Sequence, residues 1–193
     1  LVAGTGPPRP GERLVLNIGS NVRRKNLPTV LRAVAILRSR GRLVRLIKVG
    51  TPLRGGEHAP LLRELGIKEA VVDLGILEPR RVAAICNFAH ALTFASLYEG
   101  FGRPVLEAQA CGLPCVLADS SCAREVGGEA ALYHEPLDPD ELALRMEDAL
   151  FNENVRAGLI RRGLANVRRF SWTGYAARLR EIYDEMLLNP GPE

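Results

Sequence analysis

The chain has 193 residues, 47% of them apolar and 25% charged, and carries a net charge of +4. That composition is ordinary for a globular protein, and no apolar run approaches the ~20 residues of a membrane-spanning helix. Four cysteines (Cys86, Cys111, Cys115, Cys122) without a Cys-x-x-Cys pair and three scattered histidines (His58, His90, His134) argue against a metal site.

Charge is unevenly placed. Residues 1–48 hold eleven Lys or Arg against Glu12 alone, so this segment is +10 and the remainder −6. Such a flank suits an anionic ligand, a membrane surface or nucleic acid. Nucleic acid is disfavoured, because no aromatic residues interleave the cations and no nucleic-acid-binding motif is present.

Residues 1–12, within "LVAGTGPPRPGERL", show neither a signal-peptide pattern nor helical periodicity and read as a linker, so a cytoplasmic location is expected. "RLVLNIG" (13–19) is a short apolar run of β-formers, hence a buried strand. Asn26 is placed to cap a helix with Pro28 in its first turn. Leu27, Val30, Leu31, Val34 and Leu37 share one face of it, and Gly41 ends it. "RLVRLIKVG" is a second strand, followed by a Gly-rich loop and a helix over about 58–65. "AVVDLG" is a third strand, a helix starts near Pro79, and "HALTFAS" is a fourth strand.

Pro104 opens another helix, and "LPCVLAD" is a fifth strand. A short helix at 123–126 precedes "AALYHE", a sixth strand. Asp138 with Glu141 predicts a capping box for a helix ending near Leu150. Two more helices close the chain. In the last, Trp172, Tyr175, Ala176, Leu179, Ile182 and Met186 fall on one face. Alternating strands and helices, with strands apolar on both sides, predict a doubly wound α/β domain of about six parallel strands with helices on both faces. Ligands bind such sheets at the carboxyl ends of the strands, at a switch point in strand order.

Two loops follow strands at that edge. "GSNVRRKN" sets Gly19 and three consecutive cations before a helix start, which suits a phosphate. It is neither Gly-x-Gly-x-x-Gly nor a Walker loop, and solvated helix-start arginines fit it equally well. "EGFGRPVLEA" places Glu99 and Glu107 on either side of a turn in which Gly100 and Gly102 free the backbone. Pro104 leaves the next amides pointing out of a helix N-terminus that favours an anion. On spacing alone this is also compatible with a strand-to-helix turn carrying two incidental acids.

Taken together, "NIGSNVRRKNLPTVLRAVAIL", "VVDLGIL", "ASLYEGFGRPVLEAQACGLPCV", "REVGGEAALYHEPLDPDELA" and "FSWTGYAARLREIY" resemble the retaining GT-B glycosyltransferases of the large family 4 group. The carboxylate pair looks like that family's Glu-x7-Glu signature. The resemblance implies the carboxy-terminal, Rossmann-like half of a GT-B fold. Residues 1–12 would be a linker from a preceding domain, 13–170 the nucleotide-sugar-binding domain and 171–193 a C-terminal helix.

It further implies that Gly19 and Lys25, with Arg24, hold the donor's diphosphate, and that Glu107 binds the ribose hydroxyls. Glu99 would sit by the transferred sugar, as nucleophile or electrostatic support. The backbone of Gly100, Phe101 and Gly102 would contact sugar hydroxyls, the amides of Val105 and Leu106 the phosphates, and Ile76 and Leu77 the base. No metal or other cofactor is implied, since the cations and helix dipole replace a divalent ion. The donor suggested by the "RKN" variant is GDP-mannose. The acceptor would be a saccharide or lipid-linked molecule reached through the preceding domain, with the whole enzyme peripheral at the inner face of a membrane. A noncatalytic nucleotide-sugar-binding or scaffolding module is the rival reading. Three positions depart from the family: Ser20 stands where a second phosphate-binding arginine is common, Ala95 replaces a proline, and Cys115 a valine.

Overall fold

A computed structural model describes residues 7–53, 56–120 and 122–188. Half of the expected linker (1–6) and the last five positions of the expected C-terminal helix lie outside the described residues. Strands β1 (Arg13–Gly19), β2 (Val44–Gly50), β3 (Val71–Asp73), β4 (Ala91–Phe94), β5 (Cys115–Ala118) and β6 (Ala131–His134) form one sheet in the order β3-β2-β1-β4-β5-β6. Every pairing is parallel.

Successive side chains of a strand point to opposite faces, and here both faces are covered. Val15, Leu46 and Val116 pack toward α1 (Leu27–Ser39) and α6 (Pro139–Phe151), among Val30, Val34, Leu37, Leu142 and Met146. Their neighbours Leu14, Leu16, Ile47 and Leu117 pack on the other face, where Ile85 of α3 (Pro79–Phe88) and Val105 and Ala108 of α4 (Arg103–Ala110) join them. Burying each Val, Leu or Ile contributes about 1.5–3 kcal/mol, so the strands' near-continuous apolar runs are what place them at the centre.

Helices α2 (Ala59–Glu64), α5 (Ala123–Gly127) and α7 (Glu153–Asn166) complete the layers. The last helix, α8 (Trp172–Leu188), buries no residue, and Trp172 is 83% exposed. Its apolar stripe exists as the periodicity predicts, but no element among the described residues buries it. No helix among the described residues is long and apolar enough to cross a membrane.

Three local expectations are corrected. Asn26 does precede α1, but with φ 52°, and its side chain caps no backbone amide. Its Oδ1 accepts from the Thr29 hydroxyl at 2.8 Å and its Nδ2 donates to the Pro136 carbonyl at 2.6 Å. Asp138 caps α6 by accepting from the amides of Asp140 and Glu141. The reciprocal half of the capping box is absent, because Glu141 reaches past Asp138 to the Glu135 amide at 2.7 Å. Helix α4 opens at Arg103, not Pro104, with Gly102 before it at φ 93°.

Several cations of the +10 segment are paired within the fold. Arg45 pairs with Glu12 at 2.6 Å, Arg42 with Glu147 at 2.7 Å and Arg13 with Glu153 at 3.3 Å. His90 serves the fold: the Leu14 amide donates to its Nδ1 at 3.1 Å, and burial, Arg13 and Arg156 hold the ring's pKa down at about 4.

Candidate functional site

Chain order in the sheet reverses at β1. The first crossovers run outward through β2 to β3, and the next returns to lay β4 on the other side of β1. The carboxyl ends of β1 and β4 therefore flank the switch-point crevice, and both candidate loops start there.

The β1 loop ends in a single 3-10 turn, Arg23–Lys25. The β4 loop runs from Ala95 to Gly102. They are joined by the Leu97 amide, which donates to the Arg24 carbonyl at 2.8 Å. Side chains then meet across the crevice. Glu99 Oε1 accepts from Lys25 Nζ at 2.5 Å and from Arg24 Nη1 at 2.8 Å. Lys25 also lies 5.0 Å from the centre of the Phe94 ring, and Gly19 leaves room for its stem, since a Cβ there would stand 3.3 Å from Lys25 Cδ. Burial of Glu99 opposes its ionisation, but hydrogen bonds from Lys25 and Ser96, the Lys25 charge and Arg24 together hold its carboxyl below the usual value. Glu99 is thus an anion at neutral pH, clasped by two cations.

The glycine turn follows. Gly102 at φ 93° occupies a left-handed conformation costly to other residues, and Phe101 turns edge-on to Phe170 at 5.9 Å. Glu107 is exposed on α4, with Arg103 as a loose partner at 3.5 Å. Of the two amides expected to face phosphates, that of Val105 donates to the Gly102 carbonyl at 2.9 Å and is already committed. Leu106 is half-buried one residue on. On the far side, the loop after β3 leaves Ile76 81% exposed, while Leu77 packs against the core. The structure thus joins Arg24, Lys25 and Glu99 directly, by hydrogen bonds that do not extend to Glu107, Ile76 or Leu77.

Two residues were missed by sequence reasoning. Ser96 adds a hydrogen bond to Glu99 from the start of the β4 loop. Lys48, on β2, is 0% exposed and lies beneath the β1 loop. Its only sequence signal is a second cation, three residues after Arg45, among the apolar residues of the strand. Among the described residues no group of three or more His, Cys, Asp and Glu is arranged to hold a metal ion.

A parallel six-stranded sheet with this crevice defines a Rossmann-like α/β domain of the kind found in GT-B glycosyltransferases. The sequence profile of the family described as glycosyl transferases group 1 matches residues 6–165, and the chain belongs to that family. It is 33% identical over 171 residues to the O-antigen chain mannosyltransferase B of Escherichia coli, covering 87% of this chain and 45% of that protein. It is 32% identical over 187 residues to the MMP alpha-(1->4)-mannosyltransferase of Mycolicibacterium hassiacum, covering 93% and 45%. Among solved structures, Anabaena HepE in complex with UDP and glucose superposes with a TM-score of 0.80 at 22% identity, over 91% of this chain and 49% of that one. The chain spans about half the length of these relatives.

Proposed function

We propose that the chain is the donor-binding part of a retaining glycosyltransferase that takes a sugar from a nucleoside diphosphate to a saccharide or lipid-linked acceptor. The observation that carries this reading is the Glu99–Lys25–Arg24 cluster at the switch crevice, beside a glycine turn and a helix N-terminus. In this reading Lys25 and Arg24 take the diphosphate and stabilise the negative charge that grows on it as the bond to the anomeric carbon breaks. Glu99, an anion within the same crevice, faces the positive charge that develops on the sugar. Glu107, exposed and only loosely paired, is available to the ribose hydroxyls, and Ile76 and Leu77 offer a surface for the base. GDP-mannose is the proposed donor, supported by two relatives named as mannosyltransferases.

A thermal-shift panel of GDP, UDP, ADP and dTDP, with and without EDTA, tests this. A ligand at a hundredfold excess over its dissociation constant adds about 2.7 kcal/mol, roughly 5–11 °C for a domain of this size. GDP should give the largest shift, unchanged by EDTA. Absence of a shift with all four overturns the donor site; a larger shift with UDP overturns only the choice of base.

A further inference from the structure

Lys48 has no place in the donor chemistry above, yet it is fully buried and makes three hydrogen bonds. Its ammonium donates to the carbonyls of Gly19 at 2.6 Å, Val49 at 3.1 Å and Thr51 at 3.4 Å. An ammonium has three protons and no acceptor, so all are spent on backbone and none remains for a ligand. Around it the ends of three strands converge. A Cβ on Gly50 would stand 2.0 Å from the Gly19 oxygen, and the Gly50 amide donates to the Gly75 carbonyl at 2.8 Å.

This arrangement fixes the direction of one peptide. In a trans peptide the N–H points opposite to the C=O, and no described peptide is cis. With the Gly19 oxygen pinned on Lys48, the Ser20 amide must point away from it.

We propose that Lys48 is a positioning residue for the anion site: it holds the Gly19 carbonyl, aims the Ser20 amide and orders the turn carrying Arg24 and Lys25 for a diphosphate. The proposal rests on the donor-site reading and adds a residue that never touches the ligand. Two charged groups face Lys48, Asp73 from the end of β3 and Lys25 from the turn before α1. Burial lowers its pKa to about 8, with Asp73 opposing the drop and Lys25 adding to it.

The test is calorimetric binding of inorganic pyrophosphate, GDP and UDP to the wild type and Lys48→Met, with amide hydrogen exchange over 19–25. The variant should lose about tenfold in affinity, equally for pyrophosphate and the nucleotide, as expected from one lost charged hydrogen bond. With pyrophosphate bound, the Ser20 amide should be protected in the wild type and less so in the variant. Wild-type affinity, corrected for the ligand's own ionisation, should fall as pH rises through about 8, a step that persists in Lys25→Ala and is missing in Lys48→Met. Unchanged pyrophosphate affinity in a folded Lys48→Met overturns the proposal. If that variant does not fold, the wild-type and Lys25→Ala profiles decide, and flat profiles overturn it. Pyrophosphate binding that needs Lys48, without preference for any nucleotide, supports this inference while overturning the donor reading; no binding of any probe to the wild type overturns both.

Discussion

A single carboxylate oxygen takes both cations of the candidate site, Lys25 at 2.5 Å and Arg24 at 2.8 Å. Lys25→Ala should weaken every diphosphate ligand about equally, by roughly 1.5–3 kcal/mol, because a hydrogen bond to a charged group is lost. Glu107→Gln should weaken nucleotides but spare pyrophosphate, since its proposed partner is the ribose; equal losses by calorimetry would refute that assignment. Lys48 gives a pH test of stability. Its folded pKa is about 8 against the ordinary lysine value of 10.5, so between these the unfolded chain holds a proton that the folded chain has released. Stability from this residue therefore rises with pH across that window, and urea melts should show a rise in the wild type relative to Lys48→Met. Lys25 and Glu99, which the structure joins, stood out in the sequence because each sits in a turn just after a strand, whereas Glu107 lies on α4 and does not join that cluster. Lys48 did not stand out. In "RLIKVG" it reads as an ordinary strand lysine, and only the strand-end carbonyls that gather on it distinguish it.

At the scale of elements, the order of strands and helices was readable because the apolar period changes sharply between them. Ends and caps were less so. A side-chain N-cap assumes an extended residue, whereas Asn26 is left-handed and spends its amide on Thr29 and Pro136 instead. Gly50 at φ 120° marks where three strand ends meet with no space for a methyl group. Gly50→Ala combines a left-handed strain with a clash against backbone and should cost more than about 2 kcal/mol, lowering the melting temperature by at least roughly 4 °C. Helix α8 is the opposite case. Its periodicity announces an apolar face, but periodicity cannot say what covers it, and no residue of α8 is buried. Isolated helices of about this length are marginal in water. Ending the chain after Ser171 should therefore change stability by less than about 1 kcal/mol, and α8 amides should exchange nearly as fast as those of a free peptide. Strong protection there would show packing that the exposure denies.

Over the whole molecule, alternation gave the parallel, doubly wound class but not the strand order. That order depends on β1 pairing with both β2 and β4, long-range contacts with no local signature. It is also what turns two loops about 75 residues apart in sequence into one crevice, as the ion pair of Arg24 with Glu99 records. The crevice lies open: Ile76, Tyr98 and Phe101 around it are all exposed. Sugar transfer needs an acceptor hydroxyl held within near-attack distance, which can be worth about 7–11 kcal/mol of barrier. The chain spans about half the length of its curated relatives, and no element described here forms a second wall above the crevice. We therefore expect the 193-residue chain on its own to bind the donor without transferring its sugar, with at most slow hydrolysis. Release of nucleoside diphosphate and incorporation of labelled sugar into acceptor measure the two outcomes separately. Fused to the remaining part of a full-length relative, the chain should support transfer, and Glu99→Gln in that fusion should lower turnover far more than donor affinity. Rapid transfer by the chain alone would mean that the crevice holds an acceptor as well as a donor, and the assignment of roles around Glu99 would have to be redrawn.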